Sequence, residues 1–585
     1  MLRRPRQVDA VGSHDYKIVA IKIKTGGNEM MMHHLLHLSL LSTNSCQALV
    51  RSRAFLIPVM ASLMALCVSP DPALSAQPTT QGPTQAELDR ADTDSVNWLT
   101  DNKGYMGTRF STLSEINPRN IRNLREVCSF DIGETGSFQN GPIVYDGLLY
   151  TTTGLTTVAI DAATCARKWE YHYKASHVLV SNSKGPAIAG GRVIRGTPDG
   201  HLIALDAKTG ALLWDQQIMD PVNGEYATAA PLVWNDIVFM GKAGADRGIR
   251  GEMMAFGADD GHKMWSFHVI PSAGEKGSET WKNPPSIEHG GGSLWTTFAL
   301  DSAAGLLLLP VGNPGPDFDN DSRPGTNLFT NSLVALDARS GELKWWHQLL
   351  APDDRDWDTA VTAAIDAADG SKLAMAAGKD GVVHIVDRIT GELKAGAPLV
   401  TRYQNTTGPV PTGSGIRLCP IAAVQWNGPA YSPETKLMYM NGIDWCAQAI
   451  KGPTPVAKPG QEYLGWANYY GTRDPVDEAF GLVNAIDPTT GNVVWRAKTK
   501  SIPLGGVVVT ASGLVITGTI AGEVLVLDAK TGAEMHKTEV KGGIGGGVVT
   551  YQAGGRQLIA VAAGDNNFTY GTKGKNTIVV LGVPK

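Results

Sequence analysis

The chain has 585 residues, with 51 Lys and Arg against 56 Asp and Glu, a formal net charge of -5. No basic tract of the kind that tracks phosphates occurs, so nucleic acid is excluded as an expected partner. Only 18% of residues are charged and 67 are Gly, which fits many short strands joined by tight turns.

In chain order, the first feature is a leader. Arg51-Ser52-Arg53 precedes an apolar run over residues 54–68 and then Ala73-Leu74-Ser75-Ala76. A basic start, an apolar stretch and small residues form a secretory signal, cut near Ser75 to Gln77. The apolar run is too short to span a bilayer comfortably. Residues 1–76 are therefore an upstream extension plus signal peptide, with no fold expected, and 77–585 form the mature chain. The expected location is the periplasm, with no membrane span in the mature chain. Cys46 and Cys67 fall in the leader. Cys128, Cys165, Cys419 and Cys446 remain, an even number suited to an exported protein. No C-x-x-C-H occurs, so no c-type haem of its own is expected.

Next comes a repeat, A-x-D-x-x-T-G-x-x-x-W. It runs from Ala204 to Trp214, from Ala485 to Trp495, and from Ala335 to Trp345 with Ser340 in the Thr place. Weaker copies start at Ala159, Ala255, Ile385 and Val526. In one copy, residues 202–205 are a strand, 206–210 a turn and 211–214 an outer strand. Asp bonds its own backbone in such a turn and Gly supplies the positive φ. With a further strand pair upstream, each unit has four short antiparallel strands, which predicts a β-propeller blade. The turn aspartates are Asp161, Asp206, Asp337, Asp387, Asp487 and Asp528, with Gly257 in the third copy. The gap before Asp337 holds an insertion. The gap before Asp487 has room for another blade, turning at residues 431–437, which makes eight. Residues 123–130 read as an outer strand without a blade of its own, predicted to join the last blade and close the ring. A WD ring wants Trp-Asp at strand ends, and a solenoid needs no closure.

Four segments stand off the repeat register: Gly290-Gly291-Gly292-Ser293-Leu294-Trp295, Gly312-Asn313-Pro314-Gly315-Pro316, Gly244-Ala245-Asp246-Arg247-Gly248, and Asp356-Trp357-Asp358-Thr359-Ala360. The aromatic beside glycines suits a flat ligand, since Gly lets backbone approach closely. These segments and the repeat resemble the quinoprotein alcohol dehydrogenases, eight-bladed propellers that carry pyrroloquinoline quinone (PQQ). The resemblance extends from about Val96 to the C-terminus and includes the opening Asn117-Pro118-Arg119-Asn120-Ile121.

The resemblance implies roles. Trp295 matches the floor under the quinone, and Asp246, Asn313 and Asp358 match the calcium ligands. Asp246 stands where the family has Glu, and Asp317 where it has Trp. Asp358 matches the catalytic base, with Asp356 as a competitor. Lys379 matches the cation beside the quinone carbonyls, where it would stabilise developing negative charge. Lys184 and Thr228 match side chains on the cofactor carboxylates; Gln139 and Gln425 fall where relatives have Glu and Asn. Members that use lanthanides carry a further Asp two places after the base. Ala360 occupies that place, so Ca2+ is the expected ion. Residues 177–184 lack the adjacent cysteine pair of many members, and the aromatic near Leu504 is missing. Both departures point to a roomier mouth and a bulky or secondary alcohol, with specificity set by residues 317–329 and 447–480, including Trp466, Tyr469 and Tyr470.

Cys419 and Cys446 match a family disulfide. Cys165 stands in the Gly place of its repeat and Cys128 in the Trp place of the closing strand. A Cys128–Cys165 disulfide is therefore predicted to replace one docking contact and staple the ring. The function implied is oxidation of an alcohol to the ketone or aldehyde, with electrons passed to a separate c-type cytochrome. A PQQ dehydrogenase of sugars or polyols and a non-catalytic envelope scaffold are the alternatives. The sequence does not fix the oligomeric state.

Overall fold

In the computed structural model, residues 82–467 and 472–584 are described. The leader, Cys46, Cys67, Tyr469 and Tyr470 lie outside them. None of the described helices is long and apolar enough to cross a membrane. The described chain forms eight sheets of four antiparallel strands each, one of them extended by the two-residue strand Phe110–Ser111 running parallel to Val508–Thr510.

The first sheet is Ile143–Tyr145, Leu148–Thr152, Thr156–Asp161 and Arg167–His172, paired in chain order. The next four repeat this order, from Ala187–Ala189 through Leu393–Pro398. In four of these five sheets the third strand ends at the turn aspartate, whose Oδ1 accepts backbone N–H bonds from the turn, and in the third sheet it ends at Gly257. Asp206 does so from Lys208 at 3.0 Å and Thr209 at 2.7 Å. Gly210 closes the turn at φ 74°.

Two expectations are corrected. Residues 431–437 do not turn a blade of their own. Ala430–Ser432 and Leu437–Asp444 are the first hairpin of the sheet completed by Phe480–Ile486 and Val493–Thr499, which carries the Asp487 turn. The gap is long because a small sheet of Ile416–Leu418, Ala447–Ala449 and Thr472–Arg473 sits inside it. The eighth sheet lies beyond Asp528 instead, in Gly543–Ala553, Arg556–Gly564 and Thr577–Gly582. It carries no docking repeat, which hid it. Its outer strand is Arg125–Asp131, paired antiparallel with Thr577–Gly582. The early strand thus does complete the last sheet of the chain.

Successive sheets are locked by the repeat. A β-carbon on Gly210 would lie 2.6 Å from the indole of Trp169, and one on Gly391 2.5 Å from Trp345. The indole nitrogens donate to the neighbouring sheet: Trp169 to Ala207 O at 3.0 Å, Trp214 to Ala258 O at 3.0 Å, Trp345 to Arg388 O at 3.1 Å and Trp495 to Ala529 O at 3.1 Å. At the junction of the eighth and first sheets the outer strand Arg125–Asp131 carries Cys128 in place of a docking Trp. Cys128 and Cys165 are joined there, S–S 2.08 Å and Cα–Cα 5.9 Å. Cys165 holds the left-handed φ of 59° that glycine holds in the other copies. Cys419 and Cys446 form the second disulfide.

Candidate active site

Three of the four segments off the repeat register line one cavity of about 420 Å³, within the ~300–1,000 Å³ typical of small-molecule sites, and the fourth, residues 312–316, touches it through Asp358. Gln139, Lys184, Thr228, Asp246, Trp295, Asp358, Lys379 and Gln425 all line it. They come from loops of different sheets, so the cavity exists only when the sheets are assembled. A larger depression of about 730 Å³, lined by Asn320, Asp354, Arg355 and residues 406–409, holds none of these side chains.

One part of the cavity is cationic. Lys184 is 2% exposed, its ammonium 5.0 Å from the ring centroid of Trp295 and 5.1 Å from that of Trp426. It donates to the Gln139 side-chain oxygen. Burial lowers the Lys184 pKa to about 7, because the charged form loses solvation. Thr228 Oγ1 donates to Trp295 O at 2.9 Å, fixing the hydroxyl beside the indole. The Trp295 indole N–H is buried without a partner.

The other part is anionic. Lys379 Nζ stands 2.8 Å from Asp356 Oδ1 and 2.7 Å from Asp358 Oδ2. Asp358 Oδ1 accepts the Asn313 N–H at 3.0 Å. A β-carbon on Gly312 would come within 2.3 Å of Asp358 Oδ1, so glycine there makes room for the carboxylate. Asp358 faces the cavity, whereas Asp356 lies behind Lys379 and is not part of the lining. Asp246 is half-buried on a short 3-10 turn, Ala245–Arg247. Burial, with Asp358 nearby, raises its pKa while Lys379 opposes the rise. Asn313 is 1% exposed and sits beneath Asp358 rather than on the cavity surface.

Of the cysteine-free segment 177–184, Leu179, Val180, Ser181, Asn182 and Lys184 line the cavity. From residues 447–480, Glu462, Leu464 and Arg473 reach it. Trp466 does not, because it packs on Phe318 at 3.8 Å between centroids. Residues 317–329 do not line it either. Arg323, fully buried, pins that loop through Pro316 O, Asp353 O and Asn327 Oδ1. Sequence reasoning missed Tyr226, Trp426, Trp445 and Arg473 in the lining. Trp445 beside Cys446 and Trp426 beside Gln425 were the available signals. It also missed Asp317, a carboxylate 0% exposed with neither oxygen hydrogen-bonded.

Comparison with known proteins matches residues 98–396 to the family "PQQ: Glucose/ethanol/alcohol dehydrogenase, beta-propeller domain". Residues 479–574 match the model of outer membrane protein assembly factor BamB. Quinoprotein alcohol dehydrogenase PedH of Pseudomonas putida is 30% identical over 520 residues, 80% of this chain and 86% of that protein. Quinohemoprotein alcohol dehydrogenase ADH IIB of Pseudomonas putida is 29% identical over 556 residues, 87% of this chain and 78% of that protein. Among solved structures, quinohemoprotein alcohol dehydrogenase ADHIIG of Pseudomonas putida HK5 superposes with a TM-score of 0.78 at 27% identity, covering 85% of this chain and 82% of that one. A europium-containing methanol dehydrogenase gives 0.76 at 25% identity, covering 85% and 100%.

Proposed function

The chain belongs to the PQQ dehydrogenase β-propeller family, and on that premise we propose that it is a PQQ- and metal-dependent alcohol dehydrogenase of the periplasm. The observation that carries the reading is the convergence of Trp295, Lys184, Asp358 and Lys379 on one cavity. A propeller used only as a scaffold has no need of that set.

The residues fit the cofactor chemically. PQQ is flat and polyanionic, and the cavity offers an indole floor with an unpartnered N–H and a buried ammonium. Lys184, Gln139, Thr228 and Gln425 would hold its carboxylates. Asp246, Asn313 and Asp358 would hold a hard cation, for which two carboxylates and one amide suit calcium. When bound, PQQ supplies the two-electron acceptor and the cation its polarisation.

The protein's part is positioning and proton transfer. Asp358 faces the cavity and takes the substrate hydroxyl proton as general base. Its Oδ1 is fixed by the Asn313 N–H and its Oδ2 by Lys379, so the carboxylate cannot swing away. Lys379 also places fixed positive charge where negative charge develops, at no reorganisation cost during reaction. Leu179, Val180, Ile421 and Leu464 supply an apolar wall that excludes water from the substrate carbon. With no cysteine pair in residues 177–184 and no aromatic near Leu504, the mouth suits a bulky or secondary alcohol. Electrons then leave to a separate c-type cytochrome.

Purified mature protein, loaded with PQQ and calcium, is to be assayed with an artificial acceptor against primary, secondary, polyol and sugar substrates. Dye reduction with a secondary alcohol is expected. No turnover with any substrate, despite stoichiometric PQQ, would return the protein to the scaffold reading.

A further inference from the structure

Lys184, Arg247, Lys379 and Arg473 bring positive charge to the cavity lining. The first three are accounted for. Lys379 holds Asp356 and Asp358. Lys184 donates to Gln139 and is left to the cofactor carboxylates. Arg247 adjoins Asp246 and acts on its charge. Arg473 is unused by the mechanism above, and among the described residues no carboxylate forms an ion pair with it. Pockets carry few polar groups, and those few fix the orientation of what binds.

Arg473 is held in place. Its backbone pairs with Ala447 in the small sheet of the insertion. Its guanidinium lies 5.4 Å from the ring centroid of Trp445, and Nη1 donates to Thr569 O at 3.2 Å. The Trp445 indole is fixed in turn by its bond to Asp474 O at 2.9 Å and by Tyr570, stacked on it at 5.8 Å between centroids. A guanidinium packed on an indole keeps its edge for a planar acceptor, and a carboxylate matches that fork with two parallel bonds. The guanidinium lies on the side of the base, since Tyr570 feels the charge of both Arg473 and Lys379, which holds Asp358. Ile421, Trp445 and Leu464 supply apolar wall for a carbon chain, and Glu462 in the same lining disfavours a second negative charge.

We propose that Arg473 is a specificity-determining residue that binds a carboxylate on the substrate, so that the preferred alcohols are hydroxy acids whose chain reaches from Arg473 to Asp358. The inference rests on the reading of the cavity as that of a PQQ alcohol dehydrogenase. The carboxylate takes no part in the reaction. The carbinol is oxidised to the ketone, its hydroxyl proton passing to Asp358 and its carbon-bound hydrogen leaving with two electrons to the cofactor. The product is a keto acid.

The test uses PQQ- and calcium-loaded protein with an artificial acceptor. The kcat/KM is measured for 3-hydroxybutyrate, 4-hydroxypentanoate and 5-hydroxyhexanoate, each against its methyl ester. At least one acid is expected to exceed its ester by roughly tenfold or more, as for a charge-assisted hydrogen bond. Arg473→Met is expected to bring that acid-to-ester ratio to about one, mainly through a raised KM for the acid, because a remote contact is made equally in the ground and transition states. Arg473→Lys, which keeps the charge without the fork, is expected to retain part of the preference, and it serves if the methionine variant does not fold. Apart from turnover, hexanoate is expected to bind the loaded wild type more tightly than hexanamide in calorimetry, and Arg473→Met to lose the difference. Acids no better than their esters in the wild type, or a preference that survives Arg473→Met, overturn the role of Arg473. A parallel loss of PQQ affinity in Arg473→Met, read by quenching of indole fluorescence, gives the guanidinium to the cofactor and overturns it too. A wild type that oxidises no acid, ester or simple alcohol overturns the reading of the cavity itself, before Arg473 is reached.

Discussion

Around the perimeter, Trp169 meets Gly210, Trp214 meets Gly261, Trp265 meets Gly341 and Trp345 meets Gly391. Each contact joins two neighbouring sheets by the same pair of residue types. Around the cavity, Gln139, Lys184, Asp246 and the pair Asp358 and Lys379 come from four different sheets, and each position occurs once. The perimeter repeats a packing unit, so losing one copy weakens one junction. The cavity holds single copies, so losing one removes a chemical step. A substitution in one region should therefore move stability without chemistry, and in the other chemistry without stability.

The largest effect is expected at Asp358. Asp358→Asn keeps the shape and the N–H bond from Asn313 but removes the base, so kcat should fall by roughly 10²–10⁴-fold. PQQ binding, followed by quenching of indole fluorescence, should persist and Tm should change little. If Asp356→Asn abolishes turnover and Asp358→Asn does not, the base has been assigned to the wrong carboxylate.

On the perimeter, Trp345 is buried, donates to Arg388 O at 3.1 Å and covers Gly391. Trp345→Ala should cost about 3–5 kcal/mol of stability, as for other buried aromatics. The folded fraction should retain its kcat. A fall in kcat at constant folded fraction would mean that the junctions set the cavity geometry, and the comparison would lose its force. The seam should respond more mildly. Cys128→Ser opens a loop whose ends are 37 residues apart, which removes about 3–4 kcal/mol in the chain-entropy account. Denaturant melts of wild type and variant measure this, and equal midpoints would leave the disulfide without a stabilising role.

The same contrast explains what the sequence made legible. The repeat announces itself because one physical demand, a positive-φ glycine under an indole, recurs at five junctions, at Gly210, Gly261, Gly341, Gly391 and Gly532. The first five sheets and the seam disulfide follow from it. The eighth sheet, Gly543–Ala553 through Thr577–Gly582, meets no such demand, and its partner strand lies more than four hundred residues earlier in the chain. A count from repeats alone therefore misplaced a blade in residues 388–486. In the cavity, Trp295, Asp246, Asp358 and Lys379 were readable because their motifs are local. Trp426, Trp445 and Arg473 reach the lining through a long insertion whose path no periodicity records. Asp317 was visible only as a departure from a Trp, and its burial without partners is a three-dimensional fact.

The smallest effect, and the finest probe of the cavity, is a pH dependence. Burial holds the Lys184 ammonium at about pKa 7 in the absence of an anion, against about 10.4 in the unfolded chain. The folded value is the lower one, so the charged form carries a cost that is fully present below pH 7 and disappears as pH rises through about 10. Metal-free, cofactor-free protein should therefore gain stability from this group as pH rises from 7. An anionic cofactor reverses the preference, because it binds the charged form. Its affinity should be flat below pH 7 and fall by up to about tenfold per pH unit above it, until the raised pKa of the bound state is reached. Binding at pH 8 should take up a proton, measurable by calorimetry in two buffers of different ionisation enthalpy. Lys184→Met should bind weakly with a flat profile and no proton uptake. A flat profile in the wild type from pH 6 to 9 would mean that Lys184 is already charged in the empty cavity, and that burial between Trp295 and Trp426 depresses it less than its depth implies.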